Sequence, residues 1–391
     1  MIHWLVLLLT IVLVIFHPKT SLVRKRTYTS ALSIRRLLNP QDVTITALLR
    51  ARATPNERLV HAFGLTSAFV SSDVKVHRDF TSRARQLIAG VGIKDRGWRV
   101  LLQSTDEAVH RFLPEQNLDF ATFVQCVTFT VVLVGLFKVD PDTLHRQDVI
   151  YVTDIINKRW SDSKTKNANA MRQDDSLREI TERINGWIAD REQYPNPLNF
   201  ILPAYETMWR LVAVTVAHVY RCRGNTLHDT VIAFGKNPTE EQFQSFAEDD
   251  QHPSMQAIIL EALRLHPPTR HIGRASGASW WKKPFVPSIE IADIEAVHLS
   301  EEYGENTSEF NPMRFHPSHT QGRPDLFAFG HGKLSCIAAA WAPMAAAVMV
   351  ANIIEQMEEE SFTLTMGPHI GGRNGWEGWT VVKEREHACW Q

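Results

Sequence analysis

The stretch Phe329-Gly330-His331-Gly332-Lys333-Leu334-Ser335-Cys336 constrains the chain more than any other. Its two glycines permit a tight turn and a close approach of backbone to another group. One cysteine closes it, and Ile337-Ala338-Ala339-Ala340-Trp341-Ala342 begins an apolar helical run that continues to Met357. Pro343 falls about two turns into that run, where it is expected to kink the helix rather than end it. Cys336 is thereby expected at the mouth of a helix, where unpaired N–H groups and the positive dipole end favour a thiolate. A buried structural cysteine after a glycine turn fits the same stretch, since free cysteine is among the most buried residue types.

The motifs upstream decide between those readings. Leu198 to Arg221 reads as one long helix with Pro203 inside it. An internal proline removes a helix hydrogen bond and bends the chain. Just past it stand an acid and an alcohol, Glu206 and Thr207, with a small residue, Ala204, ahead of them. Further on, Glu261 and Arg264 are three apart on a helix and so face the same way. Pro267-Pro268 ends that helix. Phe310-Asn311-Pro312-Met313-Arg314-Phe315 then supplies a second arginine. A carboxylate shared by two planar guanidinium forks is a rigid, charge-assisted node.

In this order the motifs resemble those of the cytochrome P450 family, the haem-thiolate monooxygenases, from Phe63 to the carboxyl end. The resemblance implies a mainly α fold with small β-sheets, haem b lying between the long central helix and the cysteine loop. A thiolate is one of the side chains that hold haem iron axially. By resemblance Cys336 is that ligand, in a loop with Phe329 and Gly330. Glu206 and Thr207 match the acid–alcohol pair that manages protons on the oxygen side. Glu261, Arg264 and Arg314 match a structural triad that fixes the cysteine loop. His77 and Arg274 match residues that hold haem propionates, with Lys333 as a further aid. Three positions depart from the pattern. Leu334 replaces a usual Arg or His, Ala338 replaces a glycine, and Thr81 stands where an arginine follows the first propionate residue, although Arg78 and Arg83 are close by.

The rest of the chain sets the setting. Lys and Arg number 42 against 43 Asp and Glu, so no overall basic field argues for nucleic acid. Cys126, Cys222, Cys336 and Cys389 have no metal-type spacing, which disfavours structural zinc. Ile2 to Phe16 is apolar apart from His3 and Thr10, and Lys19, Arg24, Lys25 and Arg26 follow it. Positive flanks stay cytoplasmic. Residues 1–17 therefore read as a single-pass membrane anchor, which the resemblance places in the endoplasmic reticulum with a cytosolic body. Residues 18–57 read as a basic linker with one short helix at Ile34 to Leu38. That leaves little room for the early helix and small sheet that many members carry. Residues 58–391 read as the haem-thiolate catalytic domain.

Within that domain Phe120 to Phe137, apolar all round, reads as a core helix. Ser161 to Ser176 reads as a polar link over the site. Ile289 to His298 reads as strand-like, and Phe362 to Met366 and Trp379 to Val382 as two strands joined by Gly371 to Gly375. No dinucleotide-binding fingerprint is present, so electrons are expected from another protein, and the resemblance implies that this is a membrane-bound reductase that draws on NADPH. The resemblance further implies dioxygen and a lipophilic small molecule as substrates, in specialised metabolism. Two other readings fit: a haem-thiolate isomerase or dehydratase, and a haem-free membrane protein acting as an assembly partner.

Overall fold

The structure, a computed structural model, describes residues 24–92, 95–114, 117–165, 171, 174–222, 226–246, 252–276, 288–319 and 325–384. The anchor read at 1–17 lies outside these residues. The described chain opens with strand β1 (Arg24–Tyr28) and helices α1 (Ala31–Leu38), α2 (Ile45–Asn56) and α3 (Arg58–Phe63). Residues 24–56 are thus part of the folded body, which corrects their reading as a linker. The sequence reading was misled by charge. Ser30 and Thr44 cap α1 and α2 by accepting from the N–H three residues on, an interaction that contributes about 1 kcal/mol. Ile34 and Leu38, four apart on one face of α1, are fully buried, while Arg35 reaches outward to Asp325 at 2.8 Å.

Helices α4 (Val74–Gly92) and α5 (Asp95–Phe112) lead to β2 (Leu118–Asp119) and α6 (Phe120–Val131), which continues as a π-helical turn over 132–136. All of α6 except Thr122 is buried, so the apolar run at 120–137 is core. Helices α7 (Arg146–Asp162), α8 (Ser176–Trp187) and α9 (Leu198–Arg221) follow. Among the described residues α9 is the helix long and apolar enough to cross a membrane, but 78% of its apolar window is covered by protein. Next come α10 (Thr226–Lys236), α11 (Glu240–Gln244) and α12 (Met255–Leu265).

Strands β3 (His271–Ser276) and β4 (Ser288–Asp293) complete a three-stranded sheet in the order β1-β4-β3. β1 runs parallel to β4 with Arg26 opposite Glu290, and β3 antiparallel with Gly273 opposite Ile291. The strand-like run at 289–298 stops at Asp293, because the Asp293 carboxylate accepts the Ala296 N–H at 3.0 Å and starts helix α13 (Ile294–His298). Short 3-10 turns carry the chain to the cysteine loop and to α14 (Ala342–Glu359). Pro343 is the second residue of α14 and does not kink it. The first turn has no intrahelical acceptors for its N–H groups, so proline costs nothing there. α14 is buried on every face against α5, α9, α10 and α12. Strands β5 (Phe362–Thr365) and β6 (Thr380–Lys383) pair antiparallel and, with β2, form the second small sheet.

Candidate haem site

The cysteine loop is closed by its own backbone. Cys336 N–H donates to Phe329 O at 2.8 Å, Gly330 N–H to Phe327 O at 2.8 Å, and Ser335 N–H to Gly332 O at 3.0 Å. Gly332 has φ +71°, and a Cβ on it would lie 2.3 Å from the Asn39 side chain at the end of α1. Only glycine meets both demands. Cys336 is a free cysteine with an exposed side chain. The protein crowding it still desolvates the thiol and raises its pKa, against the Ala338 N–H, which lowers it. The expected helix-mouth thiolate is therefore corrected. Helix α14 starts at Ala342, and a helix dipole acts only near its first turn. A metal ion coordinated there would favour the thiolate.

The triad read from sequence is assembled. The Arg264 guanidinium donates to both Glu261 oxygens, Nε at 2.7 Å and Nη2 at 2.8 Å, and both side chains are 0% exposed. Arg314 Nε lies 3.4 Å from Glu261 Oε1, and Asn311 N–H donates to the same oxygen at 2.9 Å. The sequence reading missed the next link. Arg264 Nη1 donates to the carbonyls of His298 and Thr307 at 2.9 and 2.8 Å. His298 Nε2 in turn accepts the Phe327 N–H at 2.9 Å, which requires a neutral imidazole. Burial holds the His298 pKa down to about 4, consistent with that acceptor role. Glu261, Arg264, His298 and Phe327 thus form one path to the start of the cysteine loop.

Haem carries two carboxylates, and the structure holds donors that suit them. Arg52 Nε, His77 Nδ1 and Arg274 Nε are buried without a hydrogen-bond partner among the described residues. A buried donor left unpaired costs about 1–3 kcal/mol, so three together mark a site built for an acceptor. Burial and then the Arg274 charge push Arg52 down to about 10. Burial alone takes Arg274 to about 10, and burial followed by Arg52 and Arg85 lowers His77. These residues fit a haem with its propionates among them and Cys336 as ligand. His77 and Arg274 are the residues the sequence reading singled out for that role. Arg52, on α2, was not among them, because the segment carrying it reads as linker. It is a third donor in a protein that has Leu334 at the usual contact. Arg78 is exposed, Arg83 binds Asp79 and the Gln193 carbonyl, and Lys333 is exposed with Nζ 3.5 Å from Val43 O. Arg52→Gln is expected to speed haem loss to apomyoglobin by about tenfold or more, read from the absorbance of the transferred haem, with the apoprotein's thermal midpoint unchanged or raised.

On α9 the acid and the alcohol point different ways, since neighbouring helix residues diverge by about 100°. Thr207 is exposed and its hydroxyl donates to Pro203 O at 3.4 Å. Glu206 is 2% exposed and paired to Arg373, whose Nη1 also donates to Asn157 Oδ1 at 2.8 Å. Arg373 lies in the loop between β5 and β6. Trp376 and Trp379 pack edge-on to one another and against Phe120 at 5.3 and 5.9 Å, and their indole N–H groups tie back to Gly372 O and His369 O. A Cβ on Gly371 would fall 2.7 Å from Trp376. The tryptophans and glycines were visible in the sequence, but not that they aim Arg373 at Glu206.

No protein-family profile matches the chain. A cytokinin hydroxylase of Arabidopsis thaliana is 28% identical over 123 residues, which cover 30% of this chain and 23% of that relative's length. Solved structures align over nearly the whole chain. The haem domain of cytochrome P450DA superposes with a TM-score of 0.63 at 14% identity, covering 93% of this chain and 88% of that one. A retinoic-acid-bound cyanobacterial P450 gives 0.62 at 14%, covering 92% and 88%. A P450 from Thermus thermophilus gives 0.60 at 12%, covering 92% and 89%. The chain has the cytochrome P450 fold.

Proposed function

We propose that the protein is a haem-thiolate monooxygenase that inserts one atom of dioxygen into a lipophilic small molecule, in specialised metabolism. The observation that carries this reading is Cys336. It is free and exposed at the end of a glycine loop, and that loop is braced by the buried Glu261–Arg264–His298 path. Orphaned donors for two carboxylates accompany it. When bound, haem supplies the activation of dioxygen. The chain's residues do the rest. Cys336 would coordinate the iron and supply it with electron density. Arg52, His77 and Arg274 would hold the propionates. Thr207 presents a hydroxyl from α9 that donates or passes a proton. Glu206, held by Arg373, is the nearest acid in sequence from which protons can be relayed. Electrons come from NADPH through a partner reductase. Residues 1–17 anchor the protein in the endoplasmic reticulum membrane with the body in the cytosol.

Thr207→Ala tests the oxygenase reading. With an accepted lipophilic substrate, product formed per NADPH consumed is expected to fall about tenfold to a hundredfold, with peroxide released instead. Turnover and coupling that survive unchanged would favour isomerisation or dehydration by the same cofactor.

A further inference from the structure

Trp160 on α7 stands between two guanidinium groups. Arg58 of α3 lies 5.3 Å from its ring centroid and Arg373 5.0 Å. Arg58 Nη1 donates to Ser163 Oγ, one residue before Lys164. Arg210 on α9 donates from Nε to the Glu206 carbonyl at 2.8 Å. Four cations from α3, the end of α7, α9 and the β5–β6 loop thus gather about one carboxylate, Glu206. Lys164 registers the imbalance. Burial lowers its pKa first, then the charges of Arg373, Arg58 and Arg210, with Glu206 opposing.

The cluster also holds polar atoms left unpaired: Glu206 Oε1 is buried with no hydrogen-bond partner among the described residues. The Arg373 side chain is 8% exposed. One of its Nη groups serves Asn157 and the other Glu206, while its Nε is buried with no partner among the described residues. Lys164 is exposed and Arg58 and Arg210 are half-buried, but the unpaired Arg373 Nε is buried beside their surplus positive charge, which is costly to keep. Arg–anion contacts are the strong, geometrically specific remedy. Arg373, with its side chain 8% exposed, lies too deep for a flat lipid surface to meet it, so the occupant that suits it is one anionic end of a free molecule. The next residue on α9 after Glu206 is the exposed Thr207.

We infer that the molecule this site acts on carries an anionic group, a carboxylate or a phosphate monoester, received by Arg58, Lys164 and Arg373. The inference rests on the monooxygenase reading only for the fate of the rest of that molecule. Calorimetric titration of the full-length, haem-loaded protein with dodecanoate, dodecyl phosphate and methyl dodecanoate tests it. At least one anion is expected to bind about tenfold or more tightly than the uncharged ester. The double variant R58Q/K164Q, and to a lesser degree Lys164→Gln alone, should lose that preference while ester binding holds. Whichever anion binds tighter assigns the head group. Equal affinity of anions and ester, or a preference that survives in a double variant with wild-type circular dichroism, overturns the proposal. The carbon monoxide difference spectrum of the same samples separates the two readings. A missing thiolate band with the anion preference intact rejects the monooxygenase and keeps the anion site. A normal band with no preference rejects the anion site alone.

Discussion

Arg264→Ala is expected to lower folding stability by about 3–5 kcal/mol, the cost of stranding one member of a buried ion pair. Glu261 would keep only the Asn311 N–H and the longer contact to Arg314, at a position with no exposure to water. The carbonyls of His298, Thr307 and Glu309 would lose their donor as well. Because His298 holds the Phe327 N–H, the damage should pass to the cysteine loop, and haem content should fall with stability. Arg264→Lys should not rescue it, since an ammonium cannot span two carboxylate oxygens and three carbonyls in one plane. Equilibrium denaturation and pyridine-haemochrome content measure both effects. A change within about 1 kcal/mol, the usual range for an exposed ion pair, would remove the triad from the account.

Cys336→Ala is expected to do the reverse: stability held, activity abolished. Apart from the Ala338 N–H that faces its thiol, the contacts Cys336 makes are those of its backbone, the N–H to Phe329 O and the carbonyl to the Ala339 N–H, and alanine preserves them. Its side chain is exposed, so the loss in stability of the haem-free chain should stay within about 0.5 kcal/mol. Oxygenation of any substrate should fall to background, because no other described cysteine can take its place. Cys126 is buried, with its thiol pushed up to about 12 by burial, and Cys222 lies at the far end of α9. A structural cysteine would give the opposite pattern, with a loss of stability of about 1 kcal/mol or more from the emptied space and activity that follows the folded fraction.

The sequence made some of this plain and hid the rest for physical reasons. The bounds of α9, the glycine loop and the Glu261–Arg264–Arg314 triad were readable because each is a local pattern: an apolar period, a pair of glycines, an acid and a base one turn apart. Pro343 was misplaced because an apolar run does not show where a helix begins. Asp293 was missed as a cap because capping competes with strand propensity over two or three residues. Of the amino-terminal elements, the short helix over Ile34 to Leu38 was read from its apolar stripe, whereas β1 and α2 were overlooked in a segment that reads as basic and mixed. Arg52, His298 and Arg373 became visible only in three dimensions. Arg52 is far in sequence from His77 and Arg274, His298 acts through its ring and its carbonyl at once, and Arg373 owes its place to tryptophan packing against Phe120. No window along the chain contains those partners together.

The most direct test of the whole account is a carbon monoxide difference spectrum of the dithionite-reduced, purified full-length protein. The account predicts a Soret band at the long-wavelength position of thiolate-ligated ferrous haem, absent from Cys336→Ala prepared alongside. A protein that carries no porphyrin, or one whose band sits at the shorter wavelength of a histidine-ligated haem, contradicts it.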